Sequence, residues 1–156
     1  MLDNLYSKRE VTEYLKHKSI FPNKNRGQNF LCDKNIAYNI ANTIPNDLSR
    51  GKYALEIGGG LGSLSNMLYS IYNTRLTIVE YDNALYNHLI EKFNDIQIIH
   101  KDILTFDISN SENKYDVYGN IPYNIASPIM EWLCMNLMED GIMLYLWFKV
   151  ILLKGL

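Results

Sequence analysis

The chain has 156 residues, 47% of them hydrophobic, and a formal net charge of -2. This length suits one domain with a packed core, and this composition excludes an intrinsically disordered chain. The charge argues against a strongly basic nucleic-acid binder, although residues 1–30 carry six Lys and Arg against three Asp and Glu. Residues 1–26 are therefore predicted to form a basic N-terminal arm or helix that meets phosphates, with a solvated surface helix as the alternative.

Cysteine, histidine and hydropathy patterns indicate an intracellular protein without metal. Cys32 and Cys134 lie far apart without ligand spacing, and the three histidines are scattered. No signal peptide and no apolar run of transmembrane length are evident. We therefore expect reduced thiols, a cytoplasmic location, no membrane partner and no metal site.

Two helices are predicted first. Residues 7–18 carry apolar side chains at helical spacing, and Ser7 is placed to cap them. A loop is predicted at residues 21–27. A second helix follows Asp33, with apolar residues 36, 37, 40, 41 and 44 on one face, and it ends before Pro45.

Strands and helices alternate from residue 53 onward. Apolar strand-like runs are found at 53–57, 75–79, 96–100, 115–118 and 142–148, and helical patterns at about 63–72, 83–93 and 127–138. Such alternation predicts an α/β fold with a mostly parallel sheet and helices on both faces. These sheets bind ligands beyond the carboxyl ends of their strands. Residues that directly follow the strands are therefore the candidate site.

Three such strand ends favour an adenosine-bearing cofactor. Residues 56–62 read Glu-Ile-Gly-Gly-Gly-Leu-Gly, and glycines there permit close backbone approach at a helix N-terminus. Glu80 ends the second strand, where a carboxylate suits ribose hydroxyls; its alternative is a surface acid. Asp102 follows the third strand, where it can accept from the adenine amine with Ile103 on the ring; its alternative is an N-cap or turn residue.

The fourth strand leads into Asn120-Ile121-Pro122-Tyr123. Gly119 is expected to let the chain turn sharply, and Pro122 biases Ile121 toward an extended backbone that aims carbonyls outward. A carboxamide, aimed carbonyls and an aromatic ring together can grip a planar group with an exocyclic amine, such as adenine. The alternative is a strand-to-helix turn in which Tyr123 simply packs.

These motifs, together with Gln-Asn-Phe-Leu at residues 28–31, resemble in order and spacing the rRNA adenine N6,N6-dimethyltransferase family, over roughly residues 24–140. The chain is most similar to the housekeeping enzymes that dimethylate two adjacent adenosines of small-subunit rRNA. The resemblance implies a class I S-adenosylmethionine-dependent methyltransferase (Rossmann-like) fold. It also implies S-adenosylmethionine as cofactor and the rRNA of the small ribosomal subunit, in a pre-ribosomal particle, as partner.

The resemblance also assigns roles to residues. It gives the cofactor Gln28, Asn29, Leu31, Gly58, Gly60, Gly62, Glu80, Tyr81, Asp102, Ile103 and Asn120. Within this set, Gln28 and Asn29 would lie near its methionine end. It gives Asn120, Pro122 and Tyr123 to the target base as catalytic residues. One departure is Gly59, where the family often has proline, and a softer loop is expected there.

The resemblance fails after Met143. The family's last strands, a proline-rich loop and a helical C-terminal RNA-binding domain have no counterpart, so residues 27–156 are expected to form an incomplete catalytic domain. A truncated or frame-shifted product is one interpretation, and a natural short form stabilised by a partner or by self-association is the other. Three alternatives stay open: a large-subunit rRNA methylase of the macrolide-resistance type, an inactive fragment that only binds cofactor or RNA, and a nicotinamide-dependent reductase. Asn120 and its neighbours argue against the reductase.

Overall fold

The computed structural model describes residues 5–22, 28–44, 52–108 and 113–137. The helices and strands in chain order are α1 (Lys8–His17), α2 (Lys34–Ala41), β1 (Tyr53–Ile57), α3 (Ser63–Tyr72), β2 (Leu76–Glu80), α4 (Asn83–Lys92), β3 (Gln97–His100), β4 (Tyr115–Gly119) and α5 (Ala126–Leu137). The predicted helices and the first four predicted strands are confirmed, with small differences at their ends. The predicted strand at 142–148 lies outside the described residues.

Side chains cap the two N-terminal helices as predicted. The hydroxyl of Ser7 accepts a hydrogen bond from the Glu10 N–H at 3.2 Å. The carboxylate of Asp33 accepts from the N–H groups of Asn35 and Ile36 at 2.8 and 3.1 Å. These bonds satisfy amide groups that the first turn of a helix leaves unpaired. Two short sequence signals therefore determine where α1 and α2 begin.

The C-terminal end of α1 contains a strained residue. Ser19 has a φ of 54°, and the N–H of Ile20 donates to the Leu15 carbonyl at 2.9 Å, as in a Schellman cap. Glycine adopts this conformation without the Cβ penalty, so Ser19→Gly is expected to stabilise the protein by about 0.5 kcal/mol. Urea unfolding would show it as a higher midpoint with an unchanged slope. Ser19→Ala keeps a Cβ and should give no gain; an equal gain would contradict the explanation.

The four described strands form one parallel sheet in the order β3-β2-β1-β4. β1 pairs with β2 from Ala54↔Leu76 to Ile57↔Val79, and with β4 from Tyr53↔Tyr115 to Ile57↔Gly119. After β3 the chain returns to the other side of β1, so the strand order reverses between β1 and β4. In open α/β sheets ligands bind beyond the carboxyl ends at such a reversal. The predicted parallel sheet is confirmed for these strands.

Helices cover both faces of the sheet. Ala54 of β1 packs in a buried cluster with residues of α2, α3 and α4, whereas Leu55 and Ile57 pack against α5 on the other face. The alternation follows from the two-residue period of a strand. Because both faces are buried, β1 reads as a continuous apolar run with one exception, Glu56, which is 1% exposed.

α1 packs against the rest of the protein. Its buried residues Val11 and Leu15 form a third cluster with Leu61 and Leu85. The division into an arm at 1–26 and a domain at 27–156 stays a prediction, because parts of the first range lie outside the described residues. None of the helices in the described ranges is long and apolar enough to span a bilayer.

Candidate functional site

A cavity of about 450 Å³ lies at the carboxyl ends of the strands, where the strand order reverses. This volume falls within the range of small-molecule pockets. Predicted site residues that line it are Gln28, Asn29, Gly58, Gly60, Glu80, Tyr81, Asp102, Ile103, Asn120 and Pro122. The fold thus brings together residues that are up to 94 positions apart in the chain, counted from 28 to 122.

Of the predicted site residues whose side chains the structure describes, Leu31 and Gly62 do not line the cavity. Leu31 packs against the core formed with α2, α3 and α4. Gly62 precedes α3 with a φ of 78°, and its amide donates to the Gly59 carbonyl. Tyr123 begins a short 3-10 turn, and its side chain lies outside the described structure. The roles expected for these residues stay predictions.

The glycine loop leaves room for a ligand beside its backbone. Gly58 has a φ of 73°, which L side chains rarely adopt, and its N–H donates to the Val79 carbonyl at 2.9 Å. A Cβ at Gly58 would meet no atom within 4 Å. Because Gly58 also lines the cavity, a ligand there can approach the main chain closely.

Packing gives a physical reason for glycine at position 59. A Cβ at Gly59 would lie 2.7 Å from Ile78 Cγ2 and 2.9 Å from Leu89 Cδ1, both in the buried core. Any larger residue therefore requires these side chains to move. The proline that the resembling family often has at this position would meet the same two side chains.

The carboxylate of Glu80 joins two loops at the cavity. It is 5% exposed, and it accepts from the N–H of Gly60 at 3.0 Å and from the N–H of Asp82 at 2.9 Å. Burial raises the pKa of Glu80, and the N–H groups of Asp82 and Gly60 oppose that rise. Each carboxylate oxygen keeps further acceptor capacity, so the carboxylate can also accept from a ligand hydroxyl.

Two aspartates at the cavity act as helix caps. Asp102 accepts from the N–H of Leu104 at 3.0 Å, which confirms its N-cap alternative without excluding a ligand contact, since it also lines the cavity. Asp82 accepts from the first amides of α4 and, at 3.4 Å, from Gln28 Nε2. Asp82 was not among the predicted site residues. Its signal was an aspartate directly before a helical pattern.

Asn120 lies where β4 ends and uses only one side of its carboxamide. Its Nδ2 donates to the backbone carbonyl of Asn29 at 3.1 Å, and its Oδ1 accepts nothing from the described residues. The carbonyl of Pro122 accepts from the N–H of Ile125 at 3.2 Å and so begins the turn into α5. Of these two acceptors, the Pro122 carbonyl already has a hydrogen bond, whereas Asn120 Oδ1 accepts none from the described residues.

Gly119 is needed for a close approach and not for the sharp turn expected from the sequence. It is paired within β4, and its φ is not among the positive values of the described glycines. A Cβ there would lie 2.9 Å from the Ile57 carbonyl oxygen and 2.8 Å from Ile121 Cδ1. The correction has a simple cause: β1 and β4 are adjacent, which a local pattern does not reveal.

Gly119→Ala is expected to destabilise the protein by about 2 kcal/mol, because a backbone carbonyl on a central strand cannot move aside cheaply. Chemical denaturation measures this loss. The double variant Gly119→Ala/Ile121→Ala removes the side-chain contact but keeps the one to Ile57. If the Ile57 carbonyl causes the strain, Gly119→Ala should cost about as much unfolding free energy in the Ile121→Ala background as in the wild type. Loss of that cost in the Ile121→Ala background would assign the strain to Ile121.

Two side chains of α4 hydrogen-bond to the backbone of the glycine loop. The Leu61 carbonyl accepts from His88 Nε2 and from Lys92 Nζ, each at 3.2 Å. A carbonyl only accepts, so His88 Nδ1 is the acceptor for the Tyr14 hydroxyl at 2.8 Å. Burial lowers the pKa of His88, and it lowers that of Lys92 to about 8. The sequence pattern did not predict these hydrogen bonds between α4 and the glycine loop.

Among the described residues, the remaining lining is mostly apolar, with one cation. Phe30, Leu104 and Lys101 were not predicted individually, although each neighbours a predicted residue. Within the described ranges, no group of three or more His, Cys, Asp or Glu side chains could hold a metal ion. The cavity therefore combines apolar walls, open glycine backbone, the buried Glu80 carboxylate, two half-buried aspartates and side-chain amides. This combination suits a nucleoside and an amine better than a cation.

Comparison with known proteins gives a match over most of the chain. Residues 21–151 match the family model described as ribosomal RNA adenine dimethylase. The resemblance found in the sequence is thereby confirmed over most of the chain. The match continues past Met143, where the sequence motifs were expected to fail, as far as residue 151.

Curated relatives carry one shared name. The ribosomal RNA small subunit methyltransferase A of Buchnera aphidicola subsp. Baizongia pistaciae is 37% identical over 123 residues, covering 76% of this chain and 46% of the relative. Its namesake from Francisella tularensis subsp. novicida is 40% identical over 114 residues, covering 69% and 42%. The chain thus spans less than half the length of these relatives.

Solved structures agree on the fold. The 23S rRNA methyltransferase ErmE superimposes with a TM-score of 0.60 at 30% identity, covering 69% of this chain and 43% of that one. A putative RNA methyltransferase from Pyrococcus horikoshii gives 0.56 at 19% identity, covering 78% and 65%. The predicted class I methyltransferase fold is confirmed.

Proposed function

The chain belongs to the ribosomal RNA adenine dimethylase family, and we propose that it transfers methyl groups from S-adenosylmethionine to N6 of adenosines in small-subunit rRNA. One observation carries this proposal. The Asn120 carboxamide, held by Asn29, lines the same cavity as the open Gly58 backbone and the buried Glu80 carboxylate. A nucleoside cofactor and an amine acceptor would thus meet at one strand-order reversal.

The cavity residues fit S-adenosylmethionine. Open space beside Gly58 admits close contact with the backbone, and Glu80 is held in place to accept from ribose hydroxyls. Asp102 would accept from the adenine amine, with Ile103 against the ring. Gln28 and Asn29 would face the methionine end. When bound, the cofactor supplies an electrophilic methyl group.

Asn120 would prepare the target amine. The lone pair of an adenine N6 is delocalised into the ring, so this nitrogen is a weak nucleophile. An acceptor at Asn120 Oδ1, with a carbonyl of the Ile121–Pro122 segment as the second, would hold its N–H bonds. These acceptors would also stabilise the positive charge that develops on the nitrogen. No strong general base is required, because a methylated cationic arylamine loses its proton readily.

The target base must leave its helix or loop to reach this cavity, and Tyr123 would stack on it. The names of the curated relatives support small-subunit rRNA as the target. Similarity to ErmE supports a second candidate, adenine methylation of large-subunit rRNA. Family membership leaves the nicotinamide-dependent reductase without support. The pre-ribosomal particle as partner and the cytoplasmic location stay predictions.

Labelled methyl transfer tests the proposal. The purified protein is incubated with methyl-labelled S-adenosylmethionine and either immature small subunits or protein-free large-subunit rRNA. Label in small-subunit adenines is expected, together with saturable S-adenosylmethionine binding and no NAD binding. Label only in large-subunit rRNA would favour the second candidate. Cofactor binding without transfer to either RNA would leave a binding fragment.

A further inference from the structure

The carboxamide of Asn120 has a defined orientation. Its contact with the main chain of Asn29, at 3.1 Å, joins a side-chain amide to a carbonyl oxygen. A carbonyl oxygen only accepts, so the amide atom opposite it must be the nitrogen and not the oxygen. Rotating the amide by 180° would place two oxygens against each other. The atom left for the cavity is therefore Oδ1.

The carbonyl that holds Asn120 belongs to an anchored segment. On one side of Asn29, Gln28 Nε2 donates to the Asp82 carboxylate at 3.4 Å. On the other side, the ring of Phe30 packs with the apolar cluster that includes Leu61, and it lies 3.6 Å from the Cβ position of Gly60. Residues 28–30 thus connect the start of α4 to the end of β4.

We propose that the backbone carbonyl of Asn29 is a positioning group that keeps the donor side of Asn120 out of the cavity, so that only an acceptor faces the target base. The inference rests on the proposed function and deepens it. A fixed acceptor favours a base with an amino group at its sixth position, such as adenine. A base with a keto oxygen there, such as hypoxanthine, would meet Oδ1 with a second acceptor.

Asn120→Asp tests the positioning directly. The variant keeps an acceptor but loses the N–H donor, and its carboxylate oxygen would repel the Asn29 carbonyl. Protonating the carboxyl restores a donor to that carbonyl. Methyl transfer by the variant to an adenosine-containing oligonucleotide, divided by the wild-type rate at the same pH, should therefore rise several-fold from pH 8 to pH 5, where up to roughly a tenth of an aspartate with an ordinary pKa near 3.9 carries the proton.

Asn124→Asp is the matched control. Asn124 also lines the cavity and is exposed, but it has no bond to Asn29 among the described residues. Methyl transfer by Asn124→Asp, divided by the wild-type rate at the same pH, should not rise at low pH. A constant ratio for Asn120→Asp, or an equal rise for Asn124→Asp, would overturn the proposal.

A binding experiment measures the selectivity for adenine over hypoxanthine without methyl transfer. In competition assays on the wild type, an oligonucleotide carrying inosine in place of the target adenosine should bind roughly tenfold more weakly. Equal binding would mean that the amide turns freely, which overturns the proposal.

A spectroscopic measurement separates this inference from the proposed function. The side-chain NH₂ resonances of Asn120 are identified by their loss in Asn120→Asp, and those of exposed Asn94 by their loss in Asn94→Asp. Hydrogen bonding to Asn29 should slow exchange of the Asn120 pair with water relative to the Asn94 pair. Slow exchange in a protein that transfers no methyl group would refute the function but keep the positioning. Equal exchange would refute the positioning.

Discussion

Asn120→Ala is expected to lower the rate of methyl transfer to adenosine by roughly 10²–10³-fold, the usual effect of removing one aligned charge-stabilising group. The variant loses the Oδ1 acceptor that would hold the N6 hydrogens and stabilise their developing charge. S-adenosylmethionine binding should change little, because Gly58, Glu80 and Asp102 remain. Single-turnover transfer and equilibrium cofactor binding, measured on the same preparation, separate the two effects.

Asn94→Ala serves as the control for this experiment. It removes an exposed carboxamide between α4 and β3 and should leave both measurements unchanged. Full transfer by Asn120→Ala in folded protein would remove Asn120 from the mechanism. Parallel loss of cofactor binding would instead assign Asn120 to the cofactor, as the resemblance also allows.

Glu56→Gln is expected to stabilise the protein above neutral pH. Glu56 is 1% exposed near the end of β1, and its Oε2 has no hydrogen-bond partner in the described structure. Burial raises the pKa of Glu56 to about 8; the nearby charge of Glu80 adds to the rise, and Lys92 opposes it. The folded protein therefore holds this carboxyl in its neutral form near pH 7.

The raised pKa has a definite consequence for stability. An unfolded glutamate ionises near pH 4.3, so between that pH and about 8 the folded state binds the additional proton. The stability that comes from the retained proton on Glu56 is fully present below pH 4.3 and is lost as the pH rises toward 8. The loss amounts to about 1.4 kcal/mol per pH unit, or about 4 kcal/mol between pH 5 and pH 8.

Urea unfolding at several pH values from 5 to 8 measures this effect. The difference in unfolding free energy between Glu56→Gln and wild type should grow in favour of the variant as the pH rises. Exposed Glu131→Gln changes the same charge at the surface and should show no such growth. Parallel stability curves for Glu56→Gln and wild type would show that Glu56 does not retain its proton on folding.

Much of the fold was predictable because it follows from local rules. Alternating apolar runs and helical periodicity depend only on neighbouring residues, as do the caps at Ser7 and Asp33. The parallel sheet follows from the repeated strand–helix–strand order. Glycines after β1, Glu80 at the end of β2 and Asp102 after β3 were found because each lies at the carboxyl end of a recognisable strand.

Contacts between distant segments were not predictable in the same way. Gly119 was expected to serve a turn, yet it serves the approach of β4 to Ile57, which becomes visible only when the strands pair. Gly59 looked like a departure from the family and is explained by Ile78 and Leu89. Asp82 was overlooked because its second contact, with Gln28, spans 54 positions.

The sequence by itself determined the elements, their order and the residue types at the strand ends, because periodicity, caps and motifs are local properties of the chain. Only the tertiary structure decided which of those residues share a cavity and which way Asn120 faces. Its orientation comes from a carbonyl 91 positions earlier in the chain. Burial likewise decided the protonation of Glu56, because desolvation depends on what surrounds a carboxyl and not on its neighbours in sequence.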